Sequence, residues 1–448
     1  MAHNKYQYDG VEWCVANETG GLGGGIFADE MGLGKTITMI GTFLENFLSR
    51  TLIVLPVALV EQWVAQIYKT TGHKAVVYHG NKCDQSVLLT APIVITTYGM
   101  ISVNKKRIVA RELHKIRWNR LVFDEAHHLR NTSTGRHIGA SMLSADVRWF
   151  VTGTPVQNRK RDLYALCSLL TKHYSEVPIL RRTKQEVGIH IPSIISQSHM
   201  VEWTDLREKA LTEEIHSALS FSGVSPEKYK AVAQNISDSD LDSTRTLVTL
   251  LCAKQLCTMP SMLAPKLNKM VSDGIIADDH AYLGGMRNTS KIDDVIQTIL
   301  TNQGNGNGKL IFCQFRLEMD LIAERLRTKG MVVGVMDGRT KKAERREICV
   351  SGSYDAVILQ IQTGCEGLNL QEHFSEVYFA SPHWNPAVED QAIARCHRIG
   401  QTKAVQVFRF MMDGFGPAED ESREKISFDK YVSLVQKSKR EIIEEMIH

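Results

Sequence analysis

Residues Asp29-Glu30-Met31-Gly32-Leu33-Gly34-Lys35-Thr36 hold the densest chemistry in the chain. Their Gly-x-Gly-Lys-Thr segment follows the apolar run Gly25-Ile26-Phe27-Ala28 and precedes an amphipathic run from Thr36 to Leu48. That order reads as strand, tight loop, helix. Glycine lets backbone N–H groups come close to phosphate oxygens, and a helix N-terminus adds partial positive charge. Gly32 and Gly34 would shape the cradle, Lys35 would reach β- and γ-phosphates, and the Thr36 hydroxyl suits Mg²⁺. The full pattern has a further glycine five residues before its second one, and Asp29 stands there. Taken alone, these residues also fit a glycine-rich turn ahead of an ordinary helix.

Asp124-Glu125-Ala126-His127 follows a second apolar run, Leu121-Val122-Phe123. In parallel α/β sheets, ligands gather beyond the carboxyl ends of the strands. There Asp124 can hold Mg²⁺, and Glu125 can orient and deprotonate a water in line with a γ-phosphate. Thr152-Gly153-Thr154-Pro155 ends another run, Trp149 to Val151. Alone it is a turn. Beside the other two motifs it reads as a sensor linking the phosphate site to domain movement. Within Gln391 to Gln401, Arg395 and Arg398 stand three apart on a predicted helix and can point at one target. Arginines aimed at a transferring phosphoryl group stabilise its charge. The His127-His128 pair raises metal binding, but no ligand set with zinc-finger spacing accompanies it.

The elements that must position these groups alternate. Thr51 to Leu55, Ala75 to Tyr78, Ile93 to Thr97, Leu121 to Phe123 and Trp149 to Val151 read as strands, with helices between them. Val57 to Thr70 has helical spacing that puts Leu59, Trp63 and Ile67 on one apolar face. From Thr183 to Gly285 the strand signal fades, and helices over 204–220 and 243–257 flank a polar loop. A second alternation begins near Asn288, where Ser290 with Asp293 would cap a helix. It runs through strands near Leu310, Met331, Ala356, Glu376 and Val405, and an amphipathic helix follows from Phe428. The expected fold is α/β, with two parallel-sheet lobes at 1–182 and 288–415, a mostly helical insertion at 183–287 and a C-terminal helix within 416–448.

Bulk composition narrows the classes. The 448 residues are 43% hydrophobic and 23% charged, an ordinary globular balance. A net charge of +3 is too small to argue for nucleic acid, so any basic surface is a local groove. Nine cysteines without a Cys-x-x-Cys pair read as reduced thiols of an intracellular protein. No apolar run approaches a membrane span.

Taken in order, the motifs resemble those of Swi/Snf-type ATPases of helicase superfamily two. The resemblance rests on Tyr6-Gln7, Asp29 to Thr36, Leu52 to Pro56 with Trp63, Thr96-Thr97-Tyr98, Asp124 to His127 and Thr152 to Pro155. It continues through Leu180 to Lys184, Leu310 to Phe312, Gly364 to Leu370 and Gln391 to Gln401. Trp149 and the run Trp384 to Glu389 look most like the branch of helicase-like transcription factor, a polymerase-II termination factor and post-replication repair translocases. The resemblance implies two RecA-like lobes with ATP and Mg²⁺ between them. Gln7 would contact adenine, and Gly367 would join the nucleotide set. His127, Thr152, Thr154 and Gln391 would couple the site to movement. Trp63, Thr97, Tyr98, Gln314, Gly338, Arg339, Asn369 and Trp384 would contact DNA, and the tail helix would act as a brace. Met259, His383, Ala394 and Cys365-Glu366 depart from the family's usual residues.

The expected activity is a DNA-dependent ATPase that translocates on double-stranded DNA. It would be a monomer, with a protein partner for recruitment and no membrane. The expected location is the nucleus of a eukaryotic cell, or otherwise the cytoplasm or a viral replication site. A strand-separating DNA or RNA helicase and a non-catalytic nucleic-acid-binding protein are the alternatives.

Overall fold

Strands that are apolar on both faces need cover on both faces, and this chain builds two such sheets. The computed structural model describes residues 4–80, 86–154, 160–170, 176–218, 244–274, 286–364, 368–417 and 424–447. It divides into two units, Met1–His190 and Ile191–His448.

The first unit opens with helix α1 (Lys5–Thr19), then β1 (Gly24–Phe27), α2 (Lys35–Glu45), β2 (Thr51–Leu55) and α3 (Val60–Thr71). β3 (Val76–Tyr78), a short α4 (Val87–Thr90), β4 (Ile93–Thr97) and a short α5 (Tyr98–Ile101) follow. β5 (Arg117–Asp124), β6 (Ser144–Val151) and β7 (Ile179–Leu180) complete a seven-stranded sheet in the order β3-β4-β2-β5-β6-β1-β7. Every pairing is parallel. Alternate residues feed two cores. Leu121, Phe123 and Phe150 face one layer, and Val122, Trp149 and Val151 face the other.

Tyr6 and Gln7 lie in the first turn of α1 and are buried. Its far end is fixed by a buried pair: Arg120 donates to both oxygens of Glu18 at 2.7 and 2.5 Å, and Trp149 Nε1 donates to Glu18 at 2.8 Å. An ion pair removed from water persists only when its remaining hydrogen bonds are filled.

The second unit holds β9 (Gly308–Cys313), β10 (Val333–Met336), β11 (Ala356–Gln360), β12 (Phe374–Phe379) and β13 (Val405–Met412), all parallel. Its sixth strand, β8 (Ile194–Val201), lies inside the segment read as helical and pairs with β13 over its whole length. The sheet order is β10-β11-β9-β12-β13-β8. The helices Leu206–Ala218 and Thr244–Thr258 form a small apolar cluster through Leu211, Ile215, Cys252 and Leu256. Ser290 is not a cap. It sits inside the helix Ser290–Thr301 and gives its hydroxyl proton to Glu208 at 2.5 Å.

The tail helix Phe428–Ile447 is built into this unit. Phe428, Tyr431, Val432 and Val435 join the main core, and Asp429 pairs with Lys291, each 1% exposed. Gln436 donates to Glu389 at 2.7 Å, and Arg440 forks onto Asp390 at 2.8 and 3.0 Å. No helix among the described residues is long and apolar enough to cross a membrane.

Candidate active site

In the first unit, parallel pairing puts the carboxyl ends of all seven strands along one edge. Reading across it, Tyr98 follows β4, α3 with Trp63 follows β2, and Asp124-Glu125 closes β5. Thr152 to Thr154 follows β6, the glycine loop follows β1, and Arg182 follows β7. Residues far apart in sequence thereby become neighbours.

The loop needs its glycines. Gly32 and Gly34 have φ of 92° and 80°, a region that only glycine enters freely. Gln7 is seated against the loop: its Nε2 donates to Leu33 O at 3.3 Å and would stand 2.6 Å from a Cβ on Gly34. Lys35 Nζ donates to Asp29 O at 2.8 Å. It also lies 3.3 Å from where a Gly153 Cβ would be, so the turn after β6 abuts the loop. Burial lowers the Lys35 pKa, against the pull of Glu125 and Asp124.

Asp29, the break in the glycine pattern, is an anchor. It is 1% exposed and takes Arg182 Nε at 3.1 Å and Nη2 at 2.6 Å. Arg182 Nη1 donates to Tyr6 O at 2.6 Å, and its guanidinium lies 5.7 Å from the Tyr6 ring centre. Lys184 pairs with Glu30 at 2.9 Å. The loop is thus held from α1 and from the segment after β7.

Asp124 is held from three sides. Its Oδ2 accepts from Trp63 Nε1 at 2.6 Å, its Oδ1 from Glu125 N at 3.0 Å, and its carbonyl from the Tyr98 hydroxyl at 2.7 Å. Burial, and then the charge of Glu125, raise its pKa. Glu125 has φ 50°, the one positive value at a non-glycine among the described residues. Such a turn costs roughly 1–2 kcal/mol, and it breaks the strand immediately after Asp124. The Glu125 carboxylate is 3.2 Å from His127 Nδ1. The His127 ring stacks on His128 at 4.7 Å, and His128 meets Tyr98 at 5.1 Å. Thr152 is buried, and its Oγ1 accepts from Thr154 N at 3.2 Å. Thr36, in the first turn of α2, and Asp124 offer the hard oxygen donors that Mg²⁺ takes, beside a lysine suited to phosphate. Among the described residues no group of three or more acidic, histidine or cysteine side chains gathers to hold a metal.

Three residues expected at DNA are buried. Trp63, Thr97 and Tyr98 are 0%, 2% and 3% exposed, so none offers a surface to a duplex. Trp63 and Tyr98 turn inward onto Asp124, and Thr97 Oγ1 meets His79 Nδ1 at 3.1 Å.

In the second unit, Gln314 Nε2 donates to Pro382 O at 3.0 Å and lines a cleft of ≈ 410 Å³ with Gln255, Met262 and Arg316. Gly338 and Arg339 are exposed, and Arg339 forks onto Asp337 at 2.7 Å and Asp320 at 3.0 Å. Trp384 is half-buried beneath the tail helix, with Lys439 Nζ 4.9 Å from its ring centre and Tyr431 at 6.0 Å.

Arg395 and Arg398 do not share a helix. The helix ends at Ile393, and both lie in the turns that follow. Arg395 O accepts from Leu370 N at 3.0 Å, and Arg398 donates to the exposed Asn369. Gln391 is buried, and its Nε2 has no partner among the described residues. Gly367, the departure Cys365-Glu366, Pro155 and residues 222–242 lie outside the described residues.

Comparison with known proteins follows the same division. Residues 6–177 match the SNF2-related domain, and residues 290–400 match the helicase conserved C-terminal domain. A probable global transactivator of Orgyia pseudotsugata multicapsid polyhedrosis virus is 28% identical over 97% of this chain and 89% of its own length. A DNA excision repair protein ERCC-6-like of Danio rerio is 26% identical over 91% of this chain. The chain spans 34% of that relative's length. The crystal structure of the Pyrococcus furiosus Hef helicase domain shares the fold, with a TM-score of 0.56, 17% identity, and coverage of 92% of this chain and 95% of that one. The chain thus carries a SNF2-related domain followed by a helicase conserved C-terminal domain.

Proposed function

We propose that this protein hydrolyses ATP and couples each turnover to movement along double-stranded DNA. One observation carries the reading. The glycine loop, the Thr152 turn and the Asp124-Glu125 pair occupy the ends of three adjacent parallel strands, β1, β6 and β5. Phosphoryl transfer asks for that set: a cradle for phosphates, a cation ligand and a base within one small volume. Thr36 and Asp124 would hold Mg²⁺, which neutralises phosphate charge. Lys35 binds the phosphates, Gln7 would contact adenine, and Glu125 takes the proton of the attacking water. Arg395 and Arg398, from the second unit, would supply charge to the transferring group.

DNA contacts fall to the second unit in this reading. Gly338, Arg339 and Asn369 are exposed, and backbone contacts of that kind carry little sequence preference. The partner class follows from the motif resemblance, and the relatives, by name a transactivator and an excision repair protein, accord with work on DNA.

The test is ATP hydrolysis by the purified chain alone and with duplex DNA, single-stranded DNA or RNA, with Glu125→Gln as the blank. Strong stimulation by the duplex, followed by triplex displacement, supports translocation. Preference for a single strand or RNA moves the assignment to a strand-separating helicase. No hydrolysis on any of them turns it into a binding protein.

A further inference from the structure

We propose that Trp63 and Tyr98 are positioning residues that fix Asp124 for its divalent cation. The inference rests on the nucleotide-binding reading above and adds two residues to it.

An indole N–H can only donate, and Trp63, fully buried, donates to Asp124 Oδ2 at 2.6 Å. Glu125 N donates to the other oxygen at 3.0 Å. Each carboxylate oxygen therefore has one acceptor direction filled and another left over. Two donors on opposite oxygens set the plane of the carboxylate. The remaining lone pairs can then meet only a group arriving from a defined side, as outer partners do for ligands in metal sites.

Tyr98 acts one step further back. The ladder between β2 and β5 runs out at the Val54–Phe123 pair. Asp124 O lies just beyond it and accepts the Tyr98 hydroxyl at 2.7 Å. The next residue is Glu125 with its φ of 50°. A strained turn persists only where its surroundings over-determine it, and the Tyr98 bond pins the peptide from which both acids project. The two side chains come from elements that follow two different strands, and both point at the same residue.

The test uses the full chain. Trp63 is replaced by β-(3-benzothienyl)alanine, which keeps the bicyclic shape and lacks the N–H. Tyr98→Phe removes only a hydroxyl. Binding of a fluorescent, non-hydrolysable ATP analogue is measured in EDTA and then across a Mg²⁺ titration. The expected result is unchanged affinity in EDTA and about a tenfold higher Mg²⁺ half-saturation for the Trp63 variant, with a smaller rise for Tyr98→Phe. An unchanged Mg²⁺ requirement overturns the positioning role and leaves nucleotide binding standing. Equal loss of affinity with and without Mg²⁺ also overturns it, because that marks general damage to the fold. A native chain that binds no nucleotide in either condition overturns the nucleotide reading and this inference together.

Discussion

The carboxyl edge of the first sheet carries Asp29, Lys35, Asp124, Glu125 and Arg182, all buried or half-buried and engaged with one another. The matching edge of the second sheet offers Gly338, Arg339 and Asn369, which are exposed. Charges in a dry site must be paired, because desolvating an isolated ion is costly. That pairing also fixes their positions, which chemistry on a small phosphate requires. A long polymer with a charge at every step is better met by groups that project from the surface. One fold, used twice, thus supplies a rigid edge and a compliant one.

Experiments that break this contrast can be ranked. Arg398→Ala, on the compliant side, is expected to reduce turnover about a thousandfold if the arginine serves the transferring group, with DNA retention on filters unchanged. Loss of DNA binding in its place would return the residue to the groove. Glu125→Gln, on the rigid side, should slow hydrolysis at least about a hundredfold while equilibrium ATP binding persists. An unchanged rate would take Glu125 out of the base role.

Arg182→Ala strands Asp29 and should cost about 3 kcal/mol of stability in the first unit. Urea unfolding followed by hydrogen exchange in α1 and α2 reads this out. Adding Asp29→Asn should recover part of the loss if the pair is the cause. Arg339→Ala should leave hydrolysis without DNA untouched and lower the slope of log affinity against log salt by about one. A slope that does not change would show that Arg339 stays on Asp337 and Asp320 when DNA binds.

Much of this was legible in the sequence because it is local. Strand, glycine loop and helix lie within about 25 residues, and Asp124-Glu125 directly ends an apolar run. Trp63 is instructive because two readings of it compete. Helical spacing places it on the apolar face with Leu59 and Ile67, and family resemblance places it at DNA. The structure packs it with Leu59 and Ile67 in one core. What spacing could not give is the partner: Asp124 lies 61 positions away and arrives only through sheet order. The helix expected to carry Arg395 and Arg398 failed for a related reason. Nothing between Ile393 and Gly400 breaks a helix by composition. The turns there are held by distant groups, Leu370 N on Arg395 O and His397 Nε2 against Pro192 O. β8 was missed because Ile-Ile-Ser-Gln-Ser-His-Met-Val has no alternation, and its pairing depends on β13, some 200 residues on.

The buried Lys291–Asp429 pair has a consequence for biosynthesis. All seven strands of the first unit's sheet lie before residue 190, so it can fold while the ribosome is still translating the second. The second unit has no such freedom. Until Asp429 has been made, Lys291 lacks its ion-pair partner, and the apolar face awaiting Tyr431, Val432 and Val435 stays uncovered. A nascent chain halted short of Phe428 is thus expected to show a finished first unit and a second unit still open to chaperones and proteases.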